Sequence, residues 1–190
     1  MSVPGSIPGN RTTTVEEFER LPDEDGYRVE LDRGRPVREP VPAPLHGRLA
    51  LKLGVRLNAF VEQHDLGLTF DAAGFVLSRD PDTVRAPDLS FVSNARLPAR
   101  EYAGTYWRMA PDLAVEILSP SNRPAEVLRK ASEYIDAGSR LVWLVDARRR
   151  TVTVVRPGVD PVTLGADDAL DGADVLPGFR LPLAELFDTP

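Results

Sequence analysis

The order of apolar patterns along the chain predicts an α/β fold in which a mixed sheet is flanked by helices. Three observations carry this expectation. Short β-prone runs such as YRVELD, LTFDAAGFVLS, PDLAVEIL and LVWLVD are separated by Pro, Gly and Asp signals, the signature of strands. Two longer segments, LHGRLALKLGVRLNAFVEQH and NRPAEVLRKASEYIDAG, place apolar residues at helical spacing. Strands and helices do not alternate as regular βαβαβ units, and neither GxGxxG nor GxxxxGK[ST] occurs, so dinucleotide and P-loop functions are disfavoured.

Residues 1–13 are rich in Pro, Gly and Ser and are expected to form a flexible tail ahead of one domain spanning 14–190. TVEEFERLP reads as a short capped helix, with Thr14 at the cap, Glu17 three residues on and Pro22 beyond the end. YRVELDRGRPVRE predicts two strands around a turn at Asp32–Gly34. Leu45, Leu49, Leu53, Leu57 and Phe60 then define an amphipathic helix of about five turns, weakened slightly by Gly54. After the central strands comes a second helix, with Asn122 as cap, Pro124 in its first turn, and Gly138 at its exit. Its expected apolar stripe is Leu128, Ala131 and Ile135. RLVWLVDA and TVTVVRPG predict a hairpin around Arg148–Arg150, and the C-terminal stretch mixes turns, a short strand and a helix led by Pro182.

Composition narrows the chemistry. A chain of 190 residues with 42% hydrophobic and 27% charged residues can bury a sizeable core. With no cysteine there is no disulfide framework, thiolate metal site or cysteine nucleophile. His46 and His64 are the only histidines, which excludes a zinc site with several His ligands. No apolar run reaches membrane-span length and the N-terminus lacks a signal-peptide core, so a cytoplasmic protein without a membrane partner is expected.

Glu116 is the one charge in the otherwise apolar run Leu113–Leu118. A lone carboxylate in a strand covered on both faces costs several kcal/mol unless it is paired, protonated or metal-bound, so Glu116 is either a marginal or Arg-paired residue or a functional acid. Asp88, after Pro87 at the entrance of another apolar strand, is alone an ordinary turn residue. Two acids on adjacent strands, however, form a donor set for one hard divalent cation in phosphodiester cleavage. Lys130 is one of only two lysines against 21 arginines. It is either the i,i+4 partner of Glu126 or a point charge for a developing phosphorane or an attacking water.

These segments together resemble the Uma2-like (formerly DUF820) endonucleases of the PD-(D/E)XK superfamily. The resemblance covers roughly residues 14–187 and rests chiefly on RAPDLSFV, PDLAVEILSPSNR and the K-x3-Y-x3-G run from Lys130 to Gly138. It implies a restriction-endonuclease-like core and a DNA endonuclease using Mg²⁺ or Mn²⁺. Asp88 matches the first family acid and Glu116 the second, which makes them the implied metal ligands. The third position of the (D/E)XK triplet is Leu118, and the resemblance transfers the lysine's role to Lys130 on the following helix. Glu30 matches a further family acid, as an extra ligand or base, or as a carboxylate paired with a neighbouring arginine. His46 also matches a family position, with a capping or hydrogen-bonded role preferred. For Tyr134, core packing is preferred to orienting Lys130, and Arg148–Arg150 read most simply as a solvated turn. Trp107 and Trp143 are expected in the core or an interface. By superfamily analogy a homodimer is expected. The alternative reading is a non-catalytic nucleic-acid-binding or assembly module that retains the fold.

The net charge of −6 does not exclude nucleic acid once it is divided by region. Residues 157–190 hold seven acids and one arginine, whereas bases outnumber acids 11 to 8 between Asp88 and Arg156.

Overall fold

The computed structural model describes residues 12–22, 27–97, 106–119 and 122–188. Most of the expected tail, together with Pro120 and Ser121, lies outside the described residues. Helix α1 (Val15–Phe18) begins with the anticipated capping box, in which the Thr14 hydroxyl accepts from the Glu17 amide and the Glu17 carboxylate accepts from the Thr14 amide. Strands β1 (Tyr27–Asp32) and β2 (Arg35–Pro40) pair antiparallel through a turn in which Arg33 and Gly34 both take positive φ. Helix α2 (Pro44–Gln63) buries Leu49, Leu53, Leu57 and Val61 along one stripe.

The central feature is a six-stranded mixed sheet. Its members are β3 (Gly67–Asp71), β6 (Leu89–Ser93), β7 (Leu113–Leu118), β8 (Leu141–Asp146), β9 (Thr151–Arg156) and β10 (Val159–Leu164). Their spatial order is β10-β9-β8-β7-β6-β3, and only β7 and β8 run parallel. That parallel pair needs a crossover, which α3 (Pro124–Asp136) supplies. The period-2 geometry of β7 divides the interior. Leu113, Val115 and Ile117 join the core under α2, whereas Ala114 faces the core under α3 with Ala131 and Tyr134. Glu116, two residues on from Ala114, therefore points to the α3 side. Trp143 is fully buried under α2, and Trp107 packs on Phe70 and Phe75 on the other face.

The periodicity did not reveal a second sheet, ordered β2-β1-β5-β4 and completed by β4 (Phe75–Ser78) and β5 (Thr83–Arg85). LTFDAAGFVLS thus breaks at Ala72–Gly74, and its two halves serve different sheets. Strand β5 is three residues long, too short to leave a periodic signal. The chain closes with the β11 (Ala169–Asp171) and β12 (Arg180–Pro182) pair and α4 (Leu183–Phe187).

Two local expectations change on helix α3. Its N-cap is Arg123, while the Asn122 side chain accepts from the Ser119 amide and holds the preceding turn instead. Leu128 is 48% exposed, and the buried stripe runs through Ala131 and Tyr134. No helix among the described residues is long and apolar enough to cross a membrane.

Candidate functional site

Strand register brings the two sequence-predicted acids together. Strands β6 and β7 pair antiparallel with Leu89 opposite Val115, so Asp88 lies opposite Glu116 one step beyond the ladder. Asp88 also bridges the strands directly, because its Oδ2 accepts from the buried Ile117 amide at 2.7 Å. The same oxygen lies 3.1 Å from His46 Nε2 on the first turn of α2, and Oδ1 accepts from Arg28 at 3.2 Å. Burial pushes the Asp88 pKa up, but His46, the Ile117 amide and Arg28 outweigh it and hold the carboxyl below its ordinary range.

Glu116 is approached from α3. Lys130 and Tyr134 stand one helical turn apart and share a face. The Tyr134 hydroxyl donates to Glu116 Oε1 at 2.8 Å, and Lys130 Nζ lies 3.1 Å from the same carboxylate. Lys130 does not pair with Glu126. Its second partner is Glu30, at 3.0 Å, so the ammonium bridges two buried acids. Tyr134 is fully buried, as the packing expectation required, but it also fixes the orientation of Glu116.

Glu30 is only 1% exposed. Its Oε1 accepts from Lys130 and from the Ala86 amide, and its Oε2 accepts from Arg85 at 3.1 Å. Arg85 is equally buried and reaches Asp32 and Glu133 as well, while Arg129 joins Asp32 and Glu133. Burial raises the Glu30 pKa, but Lys130, Arg85 and the Ala86 amide lower it further, so this acid stays ionised. Burial pulls the Lys130 pKa down, but Glu116 and Glu30 raise it more, and the ammonium stays charged.

Glu116 behaves differently. Desolvation, with the negative charges of Glu30 and Asp88, pushes its pKa up from 4.5 to about 7, against the pull of Lys130 and Tyr134. The folded chain thus holds this proton more tightly than the unfolded chain between those pH values. The associated stability is fully present below about pH 4.5 and is lost as pH rises through about 7. In the absence of metal, the wild type should lose on the order of 3 kcal/mol relative to Glu116→Gln across this window. Urea unfolding at stepped pH measures the difference, and parallel stability curves would contradict it.

Asp88, Glu116 and Lys130 line one cleft of about 280 Å³ with His46, Arg28 and Asn122. Among the described residues no cluster of three or more His, Asp or Glu side chains is arranged as a metal cage. The donor set is two carboxylates lining a cleft, one of them with its pKa pushed up to about 7 chiefly by desolvation. That set fits Mg²⁺ or Mn²⁺, which take one or two protein carboxylates and complete their shell with water and phosphate oxygens. A second cleft shares Ser119, Asn122, Leu118 and Leu144 with the first and continues to Arg148 and Arg149. Both arginines are exposed, and Arg149 also pairs with Asp146.

The structure thus gathers all four predicted residues, Glu30, Asp88, Glu116 and Lys130, around one cleft or its wall. Sequence reasoning passed over Arg28 and Arg85. The available signal was modest: Arg28 shares a strand face with Glu30 by period 2, and Arg85 stands three residues before Asp88.

Comparison with known proteins agrees with this architecture. A crystal structure described as a putative nuclease belonging to DUF820, from Anabaena variabilis, matches with a TM-score of 0.82 at 25% identity. The match covers 92% of this chain and 97% of that one. No curated protein matches the chain. The family model Uma2, described as "Putative restriction endonuclease", matches residues 15–184. With nearly the whole described chain inside that match, this protein belongs to the Uma2 family.

Proposed function

We propose that the protein is a divalent-metal-dependent DNA endonuclease whose centre is Asp88, Glu116 and Lys130, with Glu30 as a supporting acid. The observation that carries this reading is the meeting of two opposed strand carboxylates with an ammonium delivered from the next helix. Asp88 and Glu116 would hold Mg²⁺ or Mn²⁺, which supplies charge neutralisation at the phosphate and acidification of water. Glu116 must release its proton to do so, and Tyr134 keeps its carboxylate aimed. Lys130 carries a fixed positive charge, which suits stabilisation of the phosphoryl oxygens as water attacks phosphorus and the opposite P–O bond breaks. Its raised pKa disfavours service as the base. Glu30, itself held by Arg85 and the Ala86 amide, keeps the ammonium in place. Arg28 and Arg148–Arg149 supply positive charge on either side for flanking phosphates.

The test is conversion of supercoiled plasmid by the purified protein, with Mg²⁺, Mn²⁺ and EDTA arms. Metal-dependent nicking is expected. Failure on duplex DNA, single strands and RNA with every metal, while nucleic-acid binding persists, would replace this reading with a binding module.

The flanking arginines give a further expectation. In the cleavage-impaired background Asp88→Asn, the pair Arg148→Glu and Arg149→Glu should weaken DNA binding about tenfold at low salt. It should also reduce the slope of log affinity against log salt by roughly 2, irrespective of sequence. Fluorescence anisotropy across a salt series measures both quantities, and an unchanged slope would remove these residues from the phosphate track.

A further inference from the structure

Among the described residues, helix α2 leaves one face without a partner. Its inner stripe packs on the sheet. One flank is tied to α4, since Lys52 donates to the Asp188 carbonyl and Arg56 pairs with Glu185. The other flank is tied to β3 by the hydrogen bond between Asn58 and Thr69. Between these flanks runs the ridge Arg48, Leu51, Val55 and Glu62, all exposed, with Leu51 at 63% and Val55 at 58%. The steps of three, four and seven residues are those of a helix-pairing seam. Beside the ridge lies a groove of about 930 Å³, which Leu51 and Val55 line together with Tyr27 and Val41, themselves 52% and 71% exposed. Four large apolar side chains open to water around one groove are more than a monomer's scattered surface residues.

We infer that this face is the interface of a homodimer, in which α2 of one copy packs antiparallel against α2 of a second copy about a two-fold axis near Val55. The charges favour self-association in that orientation. Arg48 and Glu62 stand seven residues to either side of Val55, so an antiparallel pair sets each arginine beside the partner's Glu62 at both ends of the seam. A parallel pair would oppose like charges at both ends. Among the described residues neither the Arg48 guanidinium nor the Glu62 carboxylate makes an ion pair or a side-chain hydrogen bond within the chain. Gly47, on the groove side of the helix, has nothing within 4 Å of where a Cβ would stand, which leaves room for a neighbouring backbone. The ridge side of the groove, at Leu51 and Val55, is apolar and disfavours nucleic acid there, while the groove's other end reaches Arg28, His46 and Asp88 of the first cleft.

The test is the mass of the full chain by sedimentation equilibrium over a range of concentrations. Twice 20.9 kDa is expected for the wild type. Leu51→Glu and Val55→Glu should give folded monomers with an unchanged circular dichroism spectrum. Arg48→Glu and Glu62→Arg should each weaken the dimer tenfold or more, and the double charge swap should restore it. A wild type that is monomeric throughout overturns the inference, as it would if residues 1–11 or a nucleic acid covered the ridge. A dimer indifferent to Leu51→Glu and to the charge swaps overturns it equally, because the interface would then lie elsewhere. These readouts do not depend on cleavage, so they stand or fall apart from the proposed activity.

Discussion

Asp88→Asn and Glu116→Gln are expected to lower metal-dependent cleavage by a factor on the order of 10³ or more, equivalent to roughly 4 kcal/mol of transition-state stabilisation. Both replacements nearly keep shape and hydrogen bonding. An amide oxygen at position 88 still accepts from the Ile117 amide, and one at position 116 still accepts from the Tyr134 hydroxyl. What is lost is the negative charge that opposes the cation. The proteins should therefore fold and keep their secondary-structure spectrum. Mg²⁺ or Mn²⁺ should raise the melting temperature of the wild type, by about 2.7 kcal/mol of linkage at a hundredfold excess over Kd, and should scarcely affect either variant. Lys130→Ala should lose about 10²–10³ in rate and retain the metal-induced shift, because it removes a charge beside the phosphate and leaves both ligands. Full cleavage by both acid variants would sink the assignment. A metal-induced shift that survives in both would move the cation elsewhere.

The second large effect concerns stability. Arg85→Met should destabilise the fold by about 3–5 kcal/mol, the cost of breaking a buried ion pair from one side. Arg85 is nearly inaccessible to solvent and makes contacts to Glu30, Asp32 and Glu133. Among the described residues, its removal leaves Glu30 with Lys130 as its one ion-pair partner, and Asp32 and Glu133 with Arg129 as theirs. Arg85→Lys should fall between wild type and Arg85→Met, because an ammonium keeps the charge but not the planar fork that serves three carboxylates. For a chain of this size the loss corresponds to a drop of roughly 10 °C in Tm. Urea unfolding gives the free energy directly, provided that the m-value is unchanged. A loss under about 1 kcal/mol for Arg85→Met would show that the network contributes little.

The sequence made the elements legible wherever local physics decides them. Period-2 alternation marked β1, an apolar run broken only by Glu116 marked β7, and the apolar run Leu141–Val145 marked β8. Leucines at helical spacing marked α2, and Thr14 with Glu17 marked a cap that the structure reproduces. The oddity of one acid in Leu113–Leu118 and of one lysine in an arginine-rich chain singled out Glu116 and Lys130 before any geometry was known. Asp88 needed the resemblance to an endonuclease family, because an Asp after Pro at a strand entrance is common in turns.

The partners of these residues were decided by tertiary structure alone. Local spacing offered Glu126 to Lys130, yet the ammonium pairs with Glu30, 100 residues away, and with Glu116, 14 residues away. Glu126 is exposed and can be satisfied by water, whereas an unpaired charge at Glu30 carries the full cost of desolvation, so the buried acids attract the cation more strongly. The same competition assigns Arg85 to Glu30 across 55 residues, and Arg28 to Asp88 across 60. Composition and periodicity therefore determined which α/β elements form and which residue types could carry chemistry. The pairing of charges, the second sheet and the exposed ridge of α2 depend on which faces meet in three dimensions, and burial is a property of that meeting rather than of any local stretch of chain.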